Sequence, residues 1–160
     1  MKSLVIVLAL SLFAADAAGQ CPTAGIATNG YGTGVGVCSN AILRADFDAG
    51  DCSLAFSYEP DPFWCGNTFL TQHLLIVGVQ SIDGGVPVGE PFLPGSRLYV
   101  LPLAVFGPFP GGVSEFTLSG APALTGITLE FQTAPTWITT VSFPIEPETG
   151  LSSALSLTFL

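Results

Sequence analysis

The stretch TFLTQHLLIVGVQ, residues Thr68–Gln80, is the longest apolar run of the chain outside its extreme N-terminus. Branched Ile76 and Val77 favour a strand over a short buried helix, and sequences typical of turns lie on both sides. A strand this apolar has to be covered on both faces for much of its length, as at the centre of a sheet that packs on another layer. The stretch therefore predicts a β fold built around one central strand.

Shorter segments predict the other strands. Ser53–Tyr58 and Val113–Leu118 alternate polar and apolar residues, and Arg97–Leu101 is a short apolar segment. Asp83–Pro94 is rich in glycine and proline and is predicted to be a connection, and Pro102–Gly112 is predicted to be broken by its prolines. The chain has no capped helical repeat. We therefore expect an all-β fold, a single immunoglobulin-like β-sandwich with about seven to nine short antiparallel strands.

The clearest alternation lies in Thr125–Thr133. Its apolar residues Ile127, Leu129 and Phe131 are expected on one face of a strand, and Thr128, Glu130 and Gln132 on the other.

The N-terminus has the layout of a secretory signal. Lys2 is followed by the apolar segment Leu4–Ala15 and by a small-x-small cleavage site at Ala15–Ala17. Residues 1–17 are therefore predicted to be a signal peptide, and 160 − 17 = 143 residues remain for one domain. Residues 18–67 would form its disulfide-tied N-terminal part and residues 68–160 its main strands. We expect a protein that is secreted, periplasmic or held at the cell surface.

The charge balance excludes several partners. Without Lys2 and Asp16 the chain keeps two arginines and eleven acids (12 − 1), a net charge of 2 − 11 = −9. Nucleic acid is not expected as a partner, because its binding depends mostly on Lys and Arg at the phosphates. The sequence has no second long apolar segment, so no membrane span is predicted.

All four cysteines, Cys21, Cys38, Cys52 and Cys65, lie in the N-terminal half of the chain. An even number of cysteines in an exported protein predicts two disulfides, for which three pairings are open. We favour Cys21–Cys38 with Cys52–Cys65, because each bridge closes a local loop that contains turn residues.

One family resemblance follows from four segments of the sequence. Gly30–Val35, Leu93–Val100, Leu129–Thr133 and Gly150–Leu160 resemble motifs of the small exported β-domains that are abundant in planctomycetes and related environmental bacteria. The resemblance implies an exported β-sandwich and supplies no catalytic residues. Val35 and Ser96 stand where that family often has cysteine, which puts its usual disulfide in doubt here.

Two candidate binding features stand out. Asp46, Asp48 and Asp51 could hold Ca²⁺ with Glu59 or Asp61, although their order does not fit an EF-hand and a solvated acidic turn is the simpler interpretation.

Trp64, beside a proline-rich turn, could bind sugars together with Tyr58, although aromatic residues are also common in sandwich cores. No cofactor is required.

A catalytic interpretation depends on His73, the only histidine, which lies within the central stretch. We expect a buried histidine with a satisfied hydrogen bond rather than a member of a catalytic triad. The favoured function is a non-catalytic structural or interaction domain of the cell surface or matrix, with a surface glycan or another exported protein as partner. A carbohydrate-binding module, assisted by calcium, is the alternative, and a secreted hydrolase is third.

Overall fold

The computed structural model describes residues 21–37, 41–59, 67–118, 123–140 and 146–160, with the backbone alone at Tyr58 and Glu59. Every regular element within these ranges is a strand, so none of them contains a helix that could cross a membrane. The strands are β1 (Ile26–Tyr31), β2 (Ile42–Asp48), β3 (Ser53–Glu59), β4 (Thr68–Pro87), β5 (Arg97–Pro110), β6 (Val113–Thr117), β7 (Thr128–Thr139), β8 (Pro147–Thr149) and β9 (Ala154–Phe159).

The strands form two antiparallel sheets that pack against each other. The larger sheet has the order β1-β9-β7-β4-β5, with β8 paired to β7, and the smaller sheet has the order β2-β3-β6. The prediction of an all-β sandwich with seven to nine antiparallel strands is confirmed. β4 lies between β7 and β5, and β5 is the last strand on its side of the larger sheet.

The larger sheet is covered on both faces near β4. Leu75 and Phe131 belong to the core between the sheets, where the Phe131 ring lies 4.5 Å from that of Phe56 in β3. Ile76, which points the other way, packs in a second cluster with Tyr99 and Leu151. The expectation that the central strand is covered on both faces is confirmed for His73–Gly78, whereas Phe69 and Val79 of the same stretch are exposed.

The hairpin of β4 and β5 is longer than predicted. β4 runs on from Gln80 to Pro87, and β5 continues to Pro110, through the segment that was expected to be broken by prolines. Register shifts on both sides of Ser81 accommodate the glycine pair Gly84-Gly85 inside the strand. Prolines are tolerated in β5 because it is an edge strand, where a missing N–H need not leave a partner unsatisfied.

The preferred cysteine pairing is wrong. Cys21 is bonded to Cys52, with Cα atoms 5.3 Å apart, so neither Cys21–Cys38 nor Cys52–Cys65 can form. Cys21 precedes β1 at the edge of the larger sheet, and Cys52 directly precedes β3 in the smaller sheet. Packing of the sheets thus brings together two residues that are 31 positions apart. Cys38 and Cys65 lie outside the described residues.

Candidate functional site

An open cleft of about 510 Å³ lies beside the end of β1. Its volume falls in the range of small-molecule sites, which is roughly 300–1,000 Å³. We call it the tyrosine cleft; its lining residues are Tyr31, Gly32, Thr33, Ser81, Ile82, Asp83, Gly84 and Tyr99. They come from the end of β1 and the segment after it, from the bulged part of β4 and from the start of β5.

Tyr31 is held in the cleft by a buried acid. Its hydroxyl donates to Oε2 of Glu130 at 2.9 Å, and the hydroxyl of Ser156 donates to Oε1 at 3.2 Å. Glu130 is only 8% exposed, yet both carboxylate oxygens have a donor. Burial, the hydrogen bond to Glu130 and the charge of that carboxylate all raise the pKa of the Tyr31 phenol well above its usual value. Tyr31 therefore stays neutral and keeps donating throughout the physiological range.

Tyr99 is fixed between two glycines. A Cβ atom at Gly32 or at Gly85 would lie 2.7 Å from atoms of the Tyr99 ring, and both glycines have positive φ. The backbone N–H of Thr33 donates to the Tyr99 hydroxyl oxygen at 3.1 Å, and the Thr33 hydroxyl lies at the same distance. Although burial opposes the effect, these bonds and the charge of Arg97 lower the pKa of the Tyr99 phenol. The ring stands edge-on to that of Tyr31, with centroids 6.3 Å apart.

The buried side-chain amide of Gln132 fixes the backbone on which Tyr99 is held. Gln132 is fully buried; its Nε2 donates to the carbonyl oxygens of Arg97 at 2.8 Å and Ser152 at 2.9 Å. Its Oε1 accepts from the backbone N–H of Tyr99 at 2.9 Å. One side chain thus joins β7 to β5 and to the segment before β9, and fixes the backbone that carries Tyr99.

The bulged part of β4 is held by Arg97 and leaves one acid open. Arg97 donates from Nε to the carbonyl oxygen of Gly84 at 2.7 Å and from Nη2 to that of Gly85 at 3.0 Å. Asp83 is exposed at the cleft, and its carboxylate has no partner among the described residues. The cleft therefore combines fixed tyrosines with a free carboxylate.

A different surface lies along β5. Leu101 (49%), Leu103 (42%) and Val105 (55%) of β5 are exposed, and so is Val79 (61%) beside them in β4. We call them the apolar edge, because β5 ends the order of strands in the described sheet. No charged residue occurs between Arg97 and Glu115. Natural edge strands are protected by charges, prolines or bulges, and β5 beyond Arg97 has prolines but no charge, which leaves its apolar side chains between Pro102 and Pro108 open.

The structure does not bring the predicted calcium ligands together. Within the described ranges, no three His, Cys, Asp or Glu side chains form a group that could hold a metal ion. Oδ1 of Asp48 instead accepts from the backbone N–H groups of Gly50 at 2.7 Å and Asp51 at 3.3 Å, which fixes the turn. Asp46 lines a separate shallow cleft beside β1, and Glu59 pairs with Ile42 at the far end of the hairpin. Asp61 lies outside the described residues.

The predicted aromatic site is only partly covered by the structure. Trp64 lies outside the described residues, and Tyr58 is described by its backbone alone. Trp137 is buried, in a small cluster with Ala41. None of the described tryptophan surface is therefore open to a sugar.

The prediction for His73 is confirmed. The side chain is buried, and its Nδ1 lies 2.8 Å from the carbonyl oxygen of Gly111. Its ring packs on that of Phe109, with centroids 5.4 Å apart. The histidine on which a catalytic triad would depend is thus a core residue with its hydrogen bond made to the backbone.

Sequence reasoning missed both surfaces just described. The cleft residues come from three segments, and Thr33 is 66 positions from Tyr99, so no local motif marks the site. The apolar edge did have a signal, the absence of charge between Arg97 and Glu115, but its prolines suggested a broken segment instead. No family model, curated protein or solved structure matches this chain.

Proposed function

We propose that this chain is an exported, non-catalytic structural module whose copies associate through the apolar edge. The observation that carries the proposal is the combination of Val79, Leu101, Leu103 and Val105 with an edge strand that has no charged residue after Arg97 at its start. Edge strands with exposed apolar side chains are templates for pairing with another chain.

A second copy is the proposed partner, and the distribution of charge supports it. Like copies of a chain with a net charge of −9 repel each other at most surfaces. β5 is a surface on which two acidic copies can meet without bringing carboxylates together. Two β5 strands related by a two-fold axis would pair antiparallel, and each would offer the other the same apolar side chains.

The prolines of β5 limit the register of such a pair. Pro102 and Pro108 lack the N–H that a ladder needs, so pairing is confined to the five residues between them, Leu103–Gly107. A short seam with one register suits a specific contact rather than open-ended aggregation.

The expected affinity is modest. Of the apolar edge, only Leu103 and Val105 lie in this seam. Full burial of a large apolar side chain contributes about 1.5–3 kcal/mol, so these two half-exposed side chains on each copy contribute roughly 4 kcal/mol together, and the backbone hydrogen bonds of the seam add about 0.5–1.5 kcal/mol each, which brings the total to roughly 8 kcal/mol. Association itself costs about 4–15 kcal/mol. With the smallest of these costs the net gain is about 4 kcal/mol, so a dissociation constant of about 1 mM is expected, which suits modules held at high local concentration on a surface or in a matrix.

The location and the lack of catalysis are part of the same proposal. A disulfide is typical of oxidising compartments, and the signal-like N-terminus and the resemblance to small exported β-domains agree with export. His73 is engaged in the core, so it does not support a hydrolytic role.

Sedimentation velocity of the mature protein over a wide concentration range tests the proposal. We expect reversible dimers whose population rises with salt, because screening reduces the repulsion between acidic copies. Val105→Glu should weaken dimerisation at least about 10-fold by placing a charge in the seam.

Val113→Glu is the matched control, because Val113 is 57% exposed and lies in the smaller sheet. It should leave the dimer unchanged. A protein that stays monomeric at millimolar concentration, or equal effects of the two variants, would refute the assignment.

A further inference from the structure

The tyrosine cleft has a different chemistry from the apolar edge. We propose that it binds a small organic cation, with a quaternary or methylated ammonium group as the recognised part. This inference is independent of self-association, because it depends on other side chains and on charge rather than on an uncharged seam.

The first argument is the sign of the charge. Asp83 is exposed at the cleft without a partner among the described residues, and Glu130 lies buried behind Tyr31 with hydroxyl donors on both oxygens. Arg97 is not a lining residue, and its guanidinium donates to the carbonyl oxygens of Gly84 and Gly85. The formal charges of these two carboxylates and one guanidinium add up to a negative value, and the net charge of the chain, −9, has the same sign. The negative charge at the cleft repels an anionic ligand and attracts a cationic one.

The second argument is the aromatic wall. Tyr31 is half-buried, so part of its ring faces the cleft. Its hydroxyl donates to a buried carboxylate at 2.9 Å, which increases the electron density of the ring and strengthens its attraction for a cation. Tyr31 thus supplies the aromatic surface, while Tyr99 stands edge-on beside it and turns its hydroxyl to Thr33.

The third argument is rigidity. Glu130 fixes Tyr31, two glycines and Thr33 fix Tyr99, and Arg97 fixes the strand segment that carries Asp83. A site whose walls are already in place loses little conformational entropy when a ligand binds. A neutral sugar would gain nothing from the two carboxylates' charge, so a cation is favoured over a carbohydrate of the same size.

Titration of the mature protein with choline, followed by calorimetry and by NMR, tests the proposal. 3,3-Dimethylbutan-1-ol, which has the same shape without the charge, is the control ligand. We expect choline to bind with a dissociation constant of about 1 mM or below and the alcohol to bind at least about 10-fold more weakly. Added salt should weaken choline binding.

Variants locate the site. Asp83→Asn is a surface change that removes one charge, and it should weaken choline binding at least about 10-fold. Tyr31→Phe keeps the ring but loses the link to Glu130, and it should have a smaller effect in the same direction. Glu115→Gln, at an exposed acid of the smaller sheet, should change nothing.

Three results would overturn the inference. They are equal binding of choline and its neutral analogue, equal effects of Asp83→Asn and Glu115→Gln, and choline binding weaker than about 10 mM. Circular dichroism of each variant confirms that it is folded. Dimerisation through β5 can fail or succeed without affecting any of these outcomes.

Discussion

Replacement of Gln132 by methionine should test whether the buried amide holds the larger sheet together. Methionine has nearly the same length and volume and is flexible enough to fill the space, so the change removes hydrogen bonds and creates little cavity. The wild-type side chain makes three bonds, to the carbonyl oxygens of Arg97 and Ser152 and from the N–H of Tyr99. All three backbone groups lose this partner in the variant.

The magnitude follows from the number of groups left without a partner. A buried polar group that loses its only partner costs about 1–3 kcal/mol. The bonds to Ser152 and Tyr99 are buried and the bond to Arg97 is partly buried, so their loss, partly offset because no amide is desolvated in the variant, lowers the free energy of unfolding by about 3–5 kcal/mol. For a domain of this size the loss corresponds to a fall in Tm of about 10–15 °C.

Urea and thermal unfolding of both proteins measure the loss. Gln80→Met is the matched control, since Gln80 is an exposed glutamine in β4, and its replacement should change stability by less than about 0.5 kcal/mol. If Gln132→Met unfolds within about 1 kcal/mol of the wild type, the amide is not the link that its hydrogen bonds indicate.

Two further predictions concern the disulfide and the pH dependence of stability. Trypsin can cleave the mature chain after Arg44 and Arg97. Because Cys21 is bonded to Cys52, the peptides on the two sides of Arg44 should stay joined in mass spectra until the disulfide is reduced. Separation of these peptides without reduction would mean that only local bridges form. Because the pKa of Tyr31 is raised in the folded state, the unfolded chain loses that proton first above about pH 10, and stability falls as pH rises. Tyr31→Phe should make this alkaline fall shallower in urea unfolding at pH 9 to 11.5, whereas an unchanged slope would show that the phenol is not perturbed.

The sequence predicted the structure best where the burial of a segment depends on the residues of that segment alone. An apolar run with branched residues has to be buried on both faces, and Leu75 and Ile76 are buried on opposite faces of β4. The only histidine lies in that run, and its burial with a backbone hydrogen bond follows from the same reasoning.

Periodicity failed to separate buried from exposed polar residues. Glu130 and Gln132 do alternate with Phe131, yet all three residues are buried. The face that carries the two polar residues is covered by Tyr31 at the end of β1 and by Ser152 before β9. An alternating pattern indicates that two faces differ, but it does not show whether a second layer lies over the polar one.

The disulfide and the tyrosine cleft could not be predicted, because the disulfide depends on how the two sheets meet and the cleft on how distant strands of the larger sheet and their connections meet. Cys21 and Cys52 precede strands of different sheets, and local loop closure gave no information about which strand ends would be neighbours. The cleft similarly brings Thr33 next to Tyr99. These residues are 66 positions apart, so no local sequence pattern indicates that they are in contact.

The position of the disulfide also determines how the domain would carry a mechanical load. β1 and β9 pair antiparallel, and Ala24 and Leu160 are joined by a backbone hydrogen bond of 2.9 Å, so both ends of the described chain leave from one side. Without the bridge, tension applied to the two ends would peel β1 from β9 one hydrogen bond at a time. With Cys21 bonded to Cys52, tension from the N-terminal side passes instead into β3, whose neighbours β2 and β6 share it. The pull is then resisted by the packed interface between the sheets, and the redox state of one bond sets the force at which the domain yields.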